Sequence, residues 1–116
     1  MSNEWQVYSL STPDTVLYVP CESYPLGAYL IIEENSLVGN TSVNGFWYEM
    51  IIKSSDEIQL KDGVLGLMVG TRAEHRFEDY FLKLLAPNTT LSYGIQNNVL
   101  TVQNPLNSYS IKLYVL

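Results

Sequence analysis

The stretch LSYGIQNNVLTVQNPLNSYSIKLYV, residues 91–115, decides the fold because its apolar side chains recur at every second position. That period places them on one face of a β-strand, so the stretch predicts consecutive strands that each turn one face toward a core. Asn97 and Asn98 interrupt the alternation, and asparagine tolerates the positive φ of tight turns, which predicts a β-hairpin there. The alternating positions are Leu91, Tyr93, Ile95, Leu100, Val102, Ile111, Leu113 and Val115.

Earlier parts of the chain repeat this two-residue period. It is clearest over residues 46–52 and recurs in shorter form at residues 5–7 and 16–18. Residues 61–63, Lys-Asp-Gly, predict a break between two strands because Asp-Gly favours a turn. Together these runs predict about eight short antiparallel strands.

Residues 72–85 depart from the strand period and predict one amphipathic helix. Thr71 precedes this segment as a candidate N-cap, and Glu74, three residues later, completes a capping box. Arg72 follows the cap and is predicted to bind backbone carbonyls or a carboxylate, locking the junction between strand and helix. Pro87 predicts the end of the helix, because proline cannot continue one. The apolar stripe at helical spacing consists of Phe77, Phe81, Leu84 and Leu85.

These elements predict a mainly β, α+β fold. We expect a small antiparallel β-barrel of about eight strands, with the helix covering an end or a side, since closure removes the unpaired strand edges that promote aggregation. A chain of 116 residues suffices for one core, so residues 1–116 are expected to form a single domain. A barrel this small is expected to be filled by its own side chains.

The composition excludes several classes of protein. Apolar residues make up 47% of the chain and charged residues 16%, which can support a packed core. The formal net charge of −6 disfavours nucleic acid as a partner, because that binding depends on cationic side chains. No apolar run is long enough to predict a transmembrane segment.

Residues that carry chemistry are few. Cys21 and His75 are the single cysteine and histidine, so we expect no disulfide within the chain and no zinc site. The sequence also has neither the spaced acids of a calcium loop nor a phosphate-binding glycine loop, so no other metal or cofactor is expected. We interpret His75 as a helix residue rather than a general base, because no nucleophile and orienting carboxylate are evident beside it. Glu22 next to Cys21 disfavours a reactive thiolate, so Cys21 is interpreted as an ordinary cysteine. The protein is therefore predicted not to be an enzyme.

Adjacent acidic residues occur at Glu33 and Glu34 and again at Glu78 and Asp79. Neighbouring side chains on a strand or a helix diverge and do not converge on one ligand atom. We therefore interpret both pairs as solvated faces.

One segment, residues 19–26, combines two prolines with small, polar and aromatic residues. Because proline restricts the backbone, the segment predicts a stiff, extended loop that loses little entropy on binding. Such a loop can add to a partner's cleft as a strand, as in many protease inhibitors, whereas the alternative is an ordinary surface connection. The candidate partner-binding residues are Val19, Pro20, Cys21, Glu22, Ser23, Tyr24, Pro25 and Leu26.

Several motifs occur in an order that resembles a known family. The most specific are Asn44 and Gly45, turn residues that lead into a strand, and Thr71 and Arg72, which open the helix. In this order the motifs look like the META/HslJ domain family, over most of the chain apart from residues 12–34. The matching stretches are residues 5–10, 39–48, 70–74, 81–85, 93–95, 98–102 and 111–113.

The resemblance implies a small bacterial envelope protein or lipoprotein, with a leader or a lipidated cysteine in the precursor. That would place the protein in the periplasm or on the outer surface, and the cytoplasm is the alternative. The family often has two cysteines where this chain has Val43 and, approximately, His75, so the family's disulfide is absent. The family supplies no catalytic residues.

The leading hypothesis is a monomeric, non-enzymatic envelope protein that binds another protein through residues 19–26. Protease inhibition is the sharpest form of that hypothesis. The alternative is a small-molecule or lipid carrier that uses the barrel interior. We rank the carrier lower because small barrels are usually filled.

Overall fold

The computed structural model describes residues 4–18, 28–41, 43–66 and 72–115. Within these ranges the chain forms nine strands and one helix, α1, at Arg72–Leu84. The strands are β1 Glu4–Ser11, β2 Val16–Tyr18, β3 Ala28–Ile32, β4 Ser36–Thr41, β5 Gly45–Ser54, β6 Glu57–Leu65, β7 Thr90–Gln96, β8 Val99–Asn104 and β9 Tyr109–Val115.

Eight of these strands close into a barrel. They follow one another in the order β1, β3, β4, β5, β6, β7, β8 and β9, each pair is antiparallel, and β9 pairs back with β1. The short strand β2 lies beside the second half of β1, where Ser9 pairs with Tyr18, while β3 pairs with the first half. The predicted fold class, a small antiparallel β-barrel of about eight strands with one helix, is confirmed.

The two-residue period determines which side chains fill the barrel. In β5, Phe46, Tyr48 and Met50 are buried, while the residues between them are exposed. In β8 and β9 the alternating positions Leu100, Val102, Ile111 and Leu113 are buried, whereas Val115, at the end of β9, is exposed, contrary to the prediction.

A β-bulge changes the period in β1. Val7 pairs with Leu113 but Ser9 pairs with Lys112, so Tyr8 is an extra residue on this strand. The bulge lets Leu10, three positions after Val7, turn inward, and both side chains are buried.

Residues 61–63 do not separate two strands, contrary to the prediction. Strand β6 continues through them, and the turn lies earlier, at residues 55–56. Two residues of β6 oppose the single residue Glu49 on β5, which makes a β-bulge. A Cβ on Gly63 would lie 2.5 Å from the Trp47 carbonyl oxygen, so close approach of the two backbones explains the glycine.

The helix α1 ends one residue before the predicted end at 85. It packs on the barrel through its apolar stripe, and the Phe81 and Phe46 ring centroids are 5.7 Å apart. Thr71 lies outside the described residues, so its capping box with the half-buried Glu74 stays a prediction. The predicted stripe is fully buried: Phe77, Phe81, Leu84 and Leu85.

The hairpin loop between β8 and β9 holds the C-terminal end of α1. The Asn104 Nδ2 donates to the Leu84 carbonyl at 3.1 Å, and the Asn107 Nδ2 donates to the Lys83 carbonyl at 3.0 Å. Each amide oxygen also accepts the backbone N–H two residues further along, at 2.9 Å. These bonds satisfy carbonyls that the last turn of a helix leaves open, and they attach the helix to the barrel.

The antiparallel register gives the barrel two different ends. At one end, α1 contacts the last residues of β4 and β8 and the beginning of β5, and it closes the interior. The other end is formed by the first residues of β1, β4, β6 and β8 and the last residues of β3, β5, β7 and β9. No element of the described chain covers this second end, which we call the mouth.

Candidate ligand-binding site

An apolar cavity of about 270 Å³ opens at the mouth of the barrel. Seven of the eight barrel strands contribute to its wall, together with the turn after β3. Its floor consists of buried side chains that face inward by the two-residue period. These floor residues are Trp5, Leu30, Leu37, Ile58, Leu100 and Val102.

The rim of the cavity is formed where the inward-facing positions reach the strand ends. Ile52 is 52% exposed and Ile95 is 45% exposed, although both continue buried runs of their strands. Ile32 and Tyr93 are half-buried, and Glu33 begins the turn from β3 to β4. The inward-facing apolar positions therefore continue to the ends of the strands, where their side chains are open to solvent.

Fully buried side chains pack the opposite half of the interior, and three aromatic rings lie among them. Of the three phenylalanines of the chain, Phe77 and Phe81 belong to α1, and Phe46 of β5 packs against Phe81. The expectation of a filled barrel is thus wrong for the half at the mouth.

A buried polar cluster lies at the helix end. Glu78 is only 6% exposed, so its interpretation as part of a solvated face was wrong, whereas Asp79 is exposed. The Glu78 Oε2 accepts hydrogen bonds from the Thr41 hydroxyl at 2.5 Å and from the Asn44 Nδ2 at 2.9 Å. The Thr41 hydroxyl oxygen in turn accepts the Asn44 backbone N–H at 3.1 Å. This cluster fixes the turn between β4 and β5 against the helix.

His75 lies beside this cluster, with its Nδ1 3.7 Å from the Glu78 Oε1. A carboxylate, an imidazole and the Thr41 hydroxyl therefore come together, which the sequence did not reveal. The hydroxyl is fully buried and donates to the carboxylate rather than to the imidazole. The arrangement holds the turn between β4 and β5 against α1.

The other predicted residues are distributed over several parts of the molecule. Residues 19–26, the proposed partner-binding loop, lie outside the described residues. Arg72 is exposed at the start of α1, and the junction it was predicted to lock, residues 67–71, also lies outside them. Asn44 and Gly45 occupy the turn into β5 as predicted, and the Gly45 carbonyl accepts the Gly66 N–H at 3.0 Å.

The described ranges contain no group of three or more His, Cys, Asp or Glu side chains placed to hold a metal ion. They also contain no helix long and apolar enough to span a membrane.

The fold and cavity define a small closed β-barrel with one end closed by a helix and an apolar opening at the other. No family model matches the chain, and no curated protein matches it. A solved structure, the NMR structure of a protein from Burkholderia xenovorans, is similar with a TM-score of 0.76 and 11% identity, over 99% of this chain and 82% of that chain. A likeness at this identity shows the fold alone.

Proposed function

We propose that the protein binds a small apolar molecule, or the apolar part of one, in the cavity at the mouth. The observation that carries the proposal is a cavity in which nine of the eleven lining side chains are apolar and whose rim is open to solvent. Ligand sites are typically concave, mostly apolar and provided with a few polar groups. This is the small-molecule or lipid carrier that the sequence analysis gave as the alternative hypothesis.

The size of the cavity limits the ligand. An engineered apolar cavity of about 150 Å³ binds benzene. A cavity of about 270 Å³ therefore suits a single chain or ring system of modest size. Burial of such a ligand at about 25 cal/mol per Å² supports dissociation constants in roughly the micromolar to sub-millimolar range.

Isoleucine methyl NMR tests the proposal directly, because all seven isoleucines lie in the described residues. Ile32, Ile52, Ile58 and Ile95 line the cavity, whereas Ile31, Ile51 and Ile111 do not. Titration with 1-octanol should shift the first four methyl signals along one saturable curve and leave the other three unchanged. Equal shifts in all seven, or no shift, would contradict the proposal.

A blocking variant provides an independent check. Ile95→Trp fills the rim at an exposed position and should weaken octanol binding about tenfold, because the larger side chain occupies ligand space. Val64→Trp is the matched control, since Val64 is 69% exposed and does not line the cavity. It should bind octanol as the wild type does.

The protein-binding hypothesis stays a prediction, and so do the META/HslJ kinship and the envelope location. Protease inhibition predicts stoichiometric suppression of a co-resident protease. Replacing residues 21–23 with glycines should abolish that suppression, and unchanged potency would remove the loop as the contact.

A further inference from the structure

Charge is distributed unevenly over the barrel. The described strand ends and turns at the mouth carry five carboxylates and one lysine, whereas the remaining basic side chains lie on the outer walls or on α1. The acidic residues at the mouth are Glu4, Glu33, Glu34, Asp56 and Glu57, and the basic one is Lys53. The other basic residues are Lys61, Lys112, Arg72, Arg76 and Lys83.

Glu33 is the residue that connects this charge to the cavity. Glu33 is the single charged residue among the eleven that line the cavity, and Tyr93 is the single other one with a side-chain oxygen. Within the described ranges no basic side chain lies within ion-pair distance of Glu33. An exposed carboxylate without a cation thus lies at the edge of an otherwise apolar opening.

This arrangement discriminates between ligand head groups. A chain that fills the floor places its polar end at the rim, near Glu33. An ammonium group there is attracted by the carboxylate and by the acidic rim, while a carboxylate group is repelled. The apolar volume is too small for two long acyl chains, which favours an amphiphile with one chain.

We propose that the ligand is a free single-chain amphiphile with a cationic head, and that Glu33 selects the head. This inference rests on the proposed function. The floor provides affinity for the chain, and the carboxylate provides the preference for charge. At a solvent-exposed site the preference for an ammonium over a neutral head should be about two- to fivefold. It should decrease with added salt, because salt screens exposed charges.

The test compares three ligands that share an eight-carbon chain: octylammonium, 1-octanol and octanoate. Dissociation constants come from the same isoleucine methyl signals at low salt. The expected order of affinity is octylammonium, then octanol, then octanoate. Glu33→Gln should remove most of the preference for octylammonium over octanol, and the four other carboxylates at the mouth should keep the remainder.

Glu34→Gln is the matched control, because it removes the adjacent carboxylate, which does not line the cavity. It should preserve most of the preference. If octanol binds and octylammonium binds no better, or if Glu33→Gln leaves the preference unchanged, the inference is overturned while the proposed function stands. If none of the three binds, both are overturned.

Discussion

Glu78 shows how one residue can attach a helix to a barrel. Its carboxylate is buried and accepts hydrogen bonds from Thr41 and Asn44 on the turn between β4 and β5. A buried donor that loses its partner costs more than the hydrogen bond itself contributes, because the donor also stays desolvated.

Glu78→Ala should therefore lower the free energy of unfolding by about 2–4 kcal/mol, since it removes the carboxylate that accepts both of these buried hydrogen bonds. Urea unfolding followed by circular dichroism measures this change. Asp79→Asn, on the exposed side of the same turn of helix, should change it by less than about 0.5 kcal/mol. Equal effects of the two substitutions would show that the cluster does not anchor the helix.

Tyr48 makes the stability depend on pH in the alkaline range. Burial raises the pKa of its phenol above the ordinary value of 10.0, because desolvation disfavours the phenolate. The folded state then holds the proton more tightly than the unfolded state, so this contribution is complete below pH 10 and is lost as the pH rises through the folded pKa. Tyr48→Phe cannot ionise and should show a smaller loss of unfolding free energy above pH 10 than the wild type. Chemical denaturation at a series of pH values tests this, and parallel curves for the two proteins would contradict it.

At the scale of elements, the loop between β8 and β9 is a helix cap supplied by a hairpin. Asn104 is buried and Asn107 is half-buried, and each donates to a carbonyl in the last turn of α1. Asn104→Ala should lower the free energy of unfolding by about 1–3 kcal/mol, and Asn107→Ala by about 0.5–1 kcal/mol. Hydrogen exchange should show faster opening of the end of α1 in both variants, with strand β5 as the internal reference. Unchanged exchange in α1 would argue against the cap.

The elements that the sequence predicted well are those whose signals are local. Asn97 and Asn98 have φ of 53° and 64°, which confirms the predicted hairpin turn between β7 and β8. The helix likewise follows from its own spacing of apolar residues. The prediction of a strand break at residues 61–63 was wrong because Asp-Gly occurs both in turns and in β-bulges. Which of the two forms depends on pairing with β5.

The buried role of Glu78 could not be predicted from the sequence. Its partners Thr41 and Asn44 are more than 30 positions away along the chain, and only folding brings them together. A charged residue of an amphipathic helix is usually exposed to solvent. Glu78 is buried instead because the turn between β4 and β5 supplies two hydrogen-bond donors to its carboxylate.

At the scale of the whole molecule, the barrel is divided into a packed half and an open half. The three phenylalanines fill the interior next to α1, whereas the mouth is lined mainly by smaller aliphatic side chains that do not close the space between them. Alternation identifies the face of each strand that turns inward, but it does not show whether side chains meet across the barrel. For that reason the sequence predicted the barrel correctly but ranked an open interior below a filled one.

The two tryptophans of the chain allow the most direct test of ligand binding at the mouth. Trp5 is in the cavity floor and 3% exposed, while Trp47 is on the outer wall and 44% exposed. Trp47→Phe leaves Trp5 as the sole tryptophan, and titration with 8-bromooctan-1-ol, whose bromine quenches on contact, should quench its fluorescence along a saturable curve. Trp5→Phe should leave Trp47 with only weak, linear quenching. Linear quenching of Trp5, indistinguishable from that of Trp47, would contradict a ligand-binding cavity at the mouth.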